Sequence, residues 1–324
     1  MYFYLISPVI LLIALLIYFK VAEHFSIIDK PNERSSHSYL TIRGGGVIFP
    51  FAVLIWFLFY GQNQYWIVFA LILMSVISFL DDVITLSSKL RIIIHFVAVS
   101  ILFWQLQVFE LPWYAIVLSY FFTIGWINAF NFMDGINGIT AFYGLTTLAS
   151  FAWLNSRMEF VSQELIVVLI FSLLIFSFYN ARKRAKTFAG DVGSVSLAFL
   201  LSWLMISLII KSGRIEYILL FAVYGIDAVF TIIRRLLKGE NIFEAHRSHL
   251  YQLLCNELKW PHVLVAALYS IIQLGINLII ITLVSLNRAN LFVLLIAILI
   301  LCLTYLLARF LITKRIEVIK IKSI

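Results

Sequence analysis

The segment from Asn128 to Gly138 carries the most concentrated set of residue types that could do chemistry. It reads N-A-F-N-F-M-D-G-I-N-G and ends an apolar run. Such residues are costly beside hydrocarbon, because unpaired polar groups find no water there. Asp134 has the chemistry of a metal ligand or a base, Asn128 and Asn131 can hydrogen-bond a ligand, and the glycines let the backbone approach it. The alternative is a polar helix end followed by a glycine-rich turn.

Two further acidic segments lie at predicted helix ends. Asp81 and Asp82 close an apolar run, where adjacent carboxylates at the negative end of a helix dipole need a cation such as Mg²⁺ or a nearby lysine. A solvated helix end paired with Lys89 is the alternative. Asp191 stands between glycines at the start of another apolar run, where the helix dipole favours a carboxylate or phosphate. Its simplest role is an N-cap, which does not exclude metal binding.

Basic residues and histidines complete the set. Arg43 precedes three glycines, and backbone N–H groups at such a helix start can bind an anion. An ordinary basic loop with a glycine hinge is the alternative. His246, Arg247 and His249 fall within four residues. Because no third ligand occurs at metalloprotease spacing, pyrophosphate binding fits this group better than zinc, and a solvated basic loop is the alternative.

The elements that must position these residues are membrane-spanning helices. Of 324 residues, 63% are hydrophobic and 12% charged, and the mean hydropathy is +1.03, whereas about a quarter of a soluble domain is charged. We therefore predict an all-α, polytopic membrane protein, a single domain over residues 1–324. The apolar runs predict about eleven transmembrane helices, at 3–19, 46–60, 64–80, 92–108, 112–130, 138–154, 164–180, 193–210, 216–233, 262–285 and 290–311.

Lysine and arginine indicate the orientation. Most of the 24 basic residues fall in alternate polar segments, so the positive-inside rule predicts an N-terminus outside and a cytoplasmic C-terminus. All the polar segments above then lie on one face. This convergence predicts a single site at the cytoplasmic membrane boundary, suited to metal-assisted phosphoryl transfer between a soluble charged substrate and a lipid. The predicted cytoplasmic segments are about 20–45, 81–91, 128–138, 181–194 and 234–261.

Composition also limits the partners. The net charge of +8 favours anionic lipid head groups or phosphate substrates. No aromatic and basic pattern typical of nucleic-acid binding occurs, so we expect no nucleic-acid partner. The two cysteines, Cys255 in a cytoplasmic segment and Cys302 in the last helix, exclude a disulfide framework.

Five motifs together resemble the polyprenyl-phosphate N-acetylhexosamine-1-phosphate transferases, glycosyltransferase family 4. They are D-K-P-N-E-R-S-S-H with R-G-G-G, D-D, N-A-F-N-F-M-D-G-I-N-G, A-G-D-V-G-S and A-H-R-S-H, in the family's order over nearly the whole chain. The family includes phospho-MurNAc-pentapeptide translocase and the enzymes that start O-antigen and capsule repeat units. The H-R-S-H form is most similar to the O-antigen branch, because the peptidoglycan translocase has successive histidines.

The resemblance implies a reaction and a location. Undecaprenyl phosphate would attack the β-phosphorus of a UDP-N-acetyl-sugar, releasing UMP and leaving undecaprenyl-diphospho-sugar, with Mg²⁺ as cofactor. This would be the first membrane step of O-antigen or other cell-surface glycan synthesis, such as lipopolysaccharide. The implied protein spans the bacterial inner membrane several times, with its active site facing the cytoplasm. The sequence names neither the sugar nor the oligomeric state, and a homodimer stays open.

The matched positions imply residue roles. Asp191 matches the metal-ligand aspartate, and Asp134 matches the carboxylate beside the nucleotide and metal. Phe188 matches an aromatic residue that stacks on uracil. Asp81 and Asp82 match an acidic pair, one of which is proposed as a base on the lipid phosphate or as a covalent nucleophile. The motif near the pyrophosphate is matched by His246, Arg247 and His249.

Two positions depart from the family pattern. Asn137 stands where many members have a second aspartate, so the negative charge is absent, although the amide can still accept a hydrogen bond from uracil. The segment 41–43 lacks a proline common before the glycines.

Two mechanisms and two other functions remain as alternatives. Because a lipid phosphate is already anionic, strong base catalysis is not needed, and we favour direct displacement over a covalent intermediate. A transporter or flippase of phosphorylated lipids could also use acidic and basic residues near helices, but it should carry polar groups near the bilayer midplane. An intramembrane aspartyl protease would need a second aspartate facing Asp191, and Asp227 is a poor candidate.

Overall fold

The structure, a computed structural model, describes residues 2–29, 39–241 and 247–322. Over these ranges the chain is a helical bundle with one two-stranded sheet, so the predicted all-α class is confirmed. The helices are α1 (Tyr2–His24), α2 (Ile48–Phe59), α3 (Tyr65–Ile84), α4 (Ser88–Gln105), α5 (Trp113–Met133), α6 (Ile139–Met158), α7 (Gln163–Asn180), α8 (Gly190–Ser212), α9 (Ala222–Leu237), the short α10 (Leu250–Gln252), α11 (His262–Ser285) and α12 (Leu291–Lys322).

Eleven helices of 12 residues or more occupy the eleven predicted spans within the described ranges. Nine helices of this part of the chain are long and apolar enough to cross a membrane. The other two correspond to predicted spans 46–60 and 138–154. The first is a shorter apolar helix, Gly45–Phe59, when its initial 3₁₀ turn is included. The second is α6, which is rich in threonine and serine and packs among α7, α8 and α11.

Helix α8 lies at the centre of the bundle and α12 at its edge. In the most apolar 18-residue stretch of each helix, 83% is buried in α8 and 11% in α12. Helix α8 packs against α2, α3, α5 and α6. Its beginning meets the segment that leads into α2 so closely that a Cβ on Gly46 would overlap the backbone of Gly193. The glycines of these two motifs are therefore required by backbone packing.

A break in the helical backbone precedes α9, where Ile215–Phe221 forms a 3₁₀ helix. The fully buried Gln273 of α11 hydrogen-bonds the backbone at this break. Its side-chain oxygen accepts from Val223 N–H at 2.9 Å and from the Tyr143 hydroxyl at 2.7 Å, and its nitrogen donates to the Leu219 carbonyl at 2.9 Å. One side chain of a neighbouring helix thus satisfies the Val223 N–H and the Leu219 carbonyl, two backbone groups beside the break.

A small sheet organises one end of the bundle. Strands β1 (Ile28–Asp29) and β2 (Thr41–Ile42) pair antiparallel, and Ile42 also bridges Thr187 in parallel. The Phe188 N–H donates to the Ile42 carbonyl at 2.8 Å. These pairings bring the segments around Asp29, Arg43 and Phe188 together, although they are far apart in sequence.

Candidate active site

A cavity of about 300 Å³ opens where the polar segments meet. Six of the residues predicted for the site line it. These six are Arg43, Asn131, Asp134, Asn137, Phe188 and Asp191. The structure therefore brings the loops after β2, after α5 and before α8 to one space.

Asp82 holds the beginning of α8. Its carboxylate accepts the backbone N–H of Asp191 at 2.9 Å and that of Val192 at 3.0 Å, and it pairs with Arg43 Nε at 2.7 Å. The side chain is fully enclosed, at 0% exposure. Asp82 is therefore a capping group supplied by another helix, where the positive end of the α8 dipole favours negative charge.

Asp81 faces a different cation. It accepts the Leu86 N–H at 2.6 Å and a hydrogen bond from the Arg91 guanidinium, which also reaches Asp191 at 3.0 Å. The alternative pairing with Lys89 is wrong, because Lys89 is exposed and the longer, forked arginine one half-turn later spans both carboxylates. Among the described residues, neither Asp81 nor Asp82 belongs to the cavity lining, and the catalytic role of this pair stays a prediction.

Asp134 and Asp191 are the two carboxylates of the predicted metal site. Both line the cavity, and the Thr140 hydroxyl donates to Asp134. Burial raises the pKa of Asp134 to about 6. In the part of the chain that the structure describes, no group of three or more His, Cys, Asp or Glu residues could hold a metal. Mg²⁺, however, needs only one or two carboxylates when substrate phosphates and water complete its shell, so two carboxylates lining one cavity meet that number, and the metal stays a prediction.

The cations of the site are arginines tied to these acids. Arg43 lines the cavity, is 35% exposed, and has its Nη2 3.9 Å from Asp191. Burial would lower the pKa of Arg43, but the carboxylates of Asp82 and Asp191 raise it above its usual value. The guanidinium is therefore charged at neutral pH and places a cation beside an anionic ligand.

Two asparagines arrange the turn after α5. Asn137 donates to the Arg182 carbonyl at 2.8 Å, so its side chain joins this turn to the basic segment after α7. Asn180 accepts the Gly138 N–H at 2.7 Å and donates to the Thr187 carbonyl at 2.9 Å. Gly138 has φ +87°, a conformation that glycine adopts without strain. A glycine-rich turn thus follows α5, and Asn137 and Asn180 support the walls of the cavity.

Asn131 and Asn128, one turn apart on α5, have different surroundings. Asn131 lines the cavity and accepts from the Ser194 hydroxyl of α8 at 2.6 Å. Asn128 donates to the Ile124 carbonyl of its own helix at 2.8 Å and is not part of the lining formed by the described residues. The structure therefore brings Asn131, but not Asn128, to the cavity.

The segment between α9 and α11 carries the predicted pyrophosphate motif. His249 is 1% exposed, lies 3.4 Å from Asp227, and is not part of the described lining. Arg247 is half-buried and also lies outside it. His246 falls outside the described residues. The pyrophosphate role of this motif stays a prediction, and Gln252 is the residue of this segment that reaches the cavity.

Four lining residues were not singled out from the sequence. Asp29, Asn180, Gln252 and His262 are isolated polar residues in segments that the charge pattern places on the same side. That placement was the available signal. Their selection depends on sheet pairing and helix packing, which no local pattern encodes.

Together, the helical bundle and its cavity define a membrane-embedded site that pairs carboxylates with guanidinium groups, an arrangement suited to phosphate chemistry at a membrane boundary. The model of glycosyl transferase family 4 matches residues 64–209, from α3 to α8. That range includes both acidic segments and the turn after α5.

Named relatives extend this match along the chain. A probable undecaprenyl-phosphate N-acetylglucosaminyl 1-phosphate transferase of Bacillus subtilis (strain 168) is 30% identical over 274 residues, covering 78% of this chain and 76% of the relative. The undecaprenyl-phosphate alpha-N-acetylglucosaminyl 1-phosphate transferase of Escherichia coli (strain K12) is 27% identical over 267 residues, 72% and 71%. The phospho-N-acetylmuramoyl-pentapeptide-transferase of Enterococcus hirae is 29% identical over 268 residues, 72% and 82%. The chain belongs to glycosyl transferase family 4, and the predicted family is confirmed.

Proposed function

We propose that this protein transfers a sugar 1-phosphate from a UDP-N-acetyl-sugar to undecaprenyl phosphate, giving undecaprenyl-diphospho-sugar and UMP. One observation carries the proposal: Asp134 and Asp191 face the same cavity as Arg43 and Phe188. Paired carboxylates, a cation and an aromatic ring suit a nucleotide diphosphate held with a divalent metal. N-acetylglucosamine is the first sugar to test, because the relatives from B. subtilis and E. coli carry it in their names.

Residues of the cavity orient the substrates. Arg43 attracts the diphosphate as a charged hydrogen-bond donor. Phe188, whose backbone is fixed by Ile42, offers its ring to uracil. Asn131, whose oxygen is occupied by Ser194, keeps its N–H groups for a substrate oxygen.

Mg²⁺ is the cofactor we propose, held by Asp134 and Asp191. When bound, it would neutralise charge on the phosphates and bring them within reach of each other. The Thr140 hydroxyl orients Asp134 for this role. Because Asp82 is enclosed and engaged by α8, direct displacement by the lipid phosphate is favoured over a covalent intermediate on that residue.

We infer that the site faces the cytoplasm across the bacterial inner membrane. UDP-sugars are soluble and charged, so the cavity must open to the compartment that holds them. The segment 182–186, which carries four basic residues, borders the cavity through the bond between Asn137 and the Arg182 carbonyl. By the positive-inside rule this border is cytoplasmic.

A transporter of phosphorylated lipids is less well supported. Its pathway would need polar groups accessible within the membrane. The polar residues Gln273 and Asn277 are fully buried there, but they are hydrogen-bonded to each other at 2.6 Å and to the break before α9. They serve the backbone of the bundle and leave the cavity as the place for chemistry.

The test is release of UMP by the purified full chain with undecaprenyl phosphate, Mg²⁺ and a panel of UDP-N-acetyl-sugars. Omission of the lipid and addition of EDTA are the controls. Asp191→Asn should abolish release, whereas Glu164→Gln, a matched change beside Tyr4 and Ser162 away from the cavity, should not. Release that survives EDTA would remove the metal from the proposal. No release with any donor, combined with retained binding of undecaprenyl-diphospho-sugar, would favour the transporter.

A further inference from the structure

The carboxylate of Asp227 joins helices α9, α11 and α12 to the segment that contains α10. It lies in α9 and is 1% exposed. The hydroxyls of Tyr269 in α11 and Tyr305 in α12 donate to it at 2.7 and 3.0 Å, and the Leu250 N–H donates at 3.1 Å. His249 Nδ1 lies 3.4 Å away. A buried carboxylate in a membrane protein is costly unless several donors satisfy it, and here several converge.

Helix α12 reaches the same segment through polar contacts. Arg309 donates to the Ser248 carbonyl at 2.9 Å and to the Tyr305 hydroxyl at 3.0 Å. The rest of α12 has few contacts with the bundle, since only 11% of its most apolar 18-residue stretch is buried. Lys320 of α12 also pairs with Glu257 at 3.2 Å, but both side chains are exposed, so this ion pair contributes little and the contacts of Tyr305 and Arg309 are the ones that hold α12 to the segment.

The segment held in this way forms part of the cavity. Gln252 lines it. The Tyr251 hydroxyl donates to the Phe132 carbonyl at 3.0 Å, just before Asp134. Tyr251 packs so closely that a Cβ on Gly135 would overlap its hydroxyl. A displacement of α10 would therefore also move the turn that carries Asp134.

We propose that Asp227, Tyr305 and Arg309 are positioning residues that hold α10 against the cavity, so that the C-terminal helix supports the active site as well as anchoring the chain. The proposal rests on the proposed function. Asp227 is enclosed and lies outside the described lining, so it acts through the segment and not on the substrates. A carboxylate is required, because an amide offers a single acceptor oxygen to three donors, the Tyr269 and Tyr305 hydroxyls and the Leu250 N–H.

The experiment uses the two native cysteines. In the full chain with Cys302→Ser, Cys255 is the sole thiol. It lies three residues beyond Gln252, it is buried, and burial raises its pKa to about 12, so a maleimide should label it slowly. The test variants are Tyr305→Phe, Arg309→Met and Asp227→Asn. Tyr120→Phe, which removes a hydroxyl bonded to Ser100 at 2.7 Å between α4 and α5, is the matched control.

We expect Tyr305→Phe and Arg309→Met to raise the KM for the UDP-sugar about 10-fold, as expected for one lost charge-assisted hydrogen bond. For Asp227→Asn the loss of kcat/KM should be on the order of 100-fold. The labelling rate of Cys255 should rise in Tyr305→Phe and Arg309→Met and rise most in Asp227→Asn, whereas Tyr120→Phe should label at the parent rate. A merely smaller folded fraction would lower the apparent kcat and leave KM unchanged.

Two results separate this proposal from the proposed function. Unchanged KM and unchanged labelling in both Tyr305→Phe and Arg309→Met would overturn the positioning role, even if Asp227→Asn fails to fold. Accelerated labelling in these variants, with no UMP released by the parent protein from any donor, would overturn the proposed function and leave the structural link intact.

Discussion

Replacing Asp82 by asparagine should destabilise the protein, because its carboxylate holds the beginning of α8. One oxygen accepts the Asp191 N–H and pairs with Arg43 Nε, at 2.9 and 2.7 Å, and the other accepts the Val192 N–H at 3.0 Å. Asparagine has the same shape but one acceptor oxygen. One backbone N–H would then face an N–H₂ group, and Arg43 would lose its nearest charged partner.

The magnitude follows from these contacts. A lost hydrogen bond to a charged group costs about 1.5–3 kcal/mol, and breaking a buried ion pair costs about 3–5 kcal/mol. Because Arg43 is 35% exposed, water screens part of its unpaired charge, so the lower figures apply. We expect Asp82→Asn to lower the free energy of unfolding by about 3 kcal/mol, a large part of the 5–15 kcal/mol typical of a domain.

Thermal unfolding in detergent, followed by tryptophan fluorescence, measures this effect. Asp191→Asn is the matched comparison, since its side chain is 20% exposed and stands among other carboxylates. Its neutralisation relieves repulsion, so the Tm should stay level or rise while UMP release is lost. If Asp82→Asn melted with the wild type yet lost turnover, the capping argument would be refuted and Asp82 would have a chemical role.

Three further predictions follow from named contacts. Gly135→Ala should lower turnover, because the new Cβ would overlap the Tyr251 hydroxyl. Adding Tyr251→Phe to this variant should restore part of the rate. If the two substitutions instead lowered the rate additively, the clash would not be the cause. Gln273→Leu should lower the melting temperature in detergent, because the Val223 N–H and the Leu219 carbonyl lose their partner. Each unsatisfied buried group costs about 1–3 kcal/mol. A wild-type melting curve would show that water or another group replaces the amide. Arg91→Met should lower the rate of Mg²⁺-dependent UMP release about 10-fold, because Asp81 and Asp191 lose their shared cation. Arg91→Lys should recover only part of the rate, because an ammonium lacks the forked geometry. Equal rates in the lysine variant and the wild type would argue against an arginine that bridges the two carboxylates.

The helices were predictable because their signal is local. A run of apolar residues long enough to cross hydrocarbon becomes a helix whatever its neighbours are. The glycine-rich turn at Gly138 and the acid at the start of α8 were predictable for the same reason, since turn and dipole effects act within a few residues. The charge pattern then placed Asp134 and Asp191 on one face, and the structure brings both to one cavity.

Partner choice was less predictable. The acidic pair needed a cation, but the sequence offered Lys89 nearby and could not show that Arg91 reaches Asp81 or that Arg43 reaches Asp82 from another segment. The pyrophosphate role of the histidine motif stays a prediction, and the sequence could not show that His249 lies buried beside Asp227. In each case the outcome depends on how one helix is rotated against another.

By itself, therefore, the sequence determined which segments form apolar helices, which carry polar chemistry and which family the motifs resemble, because those properties reside in short stretches of chain. Only the tertiary structure decided that Asp29 and His262 join the cavity, that Asp82 caps α8, and that the last helix contacts the active-site segment. Those results depend on distances between residues remote in sequence, and such distances are set by close packing of the whole bundle.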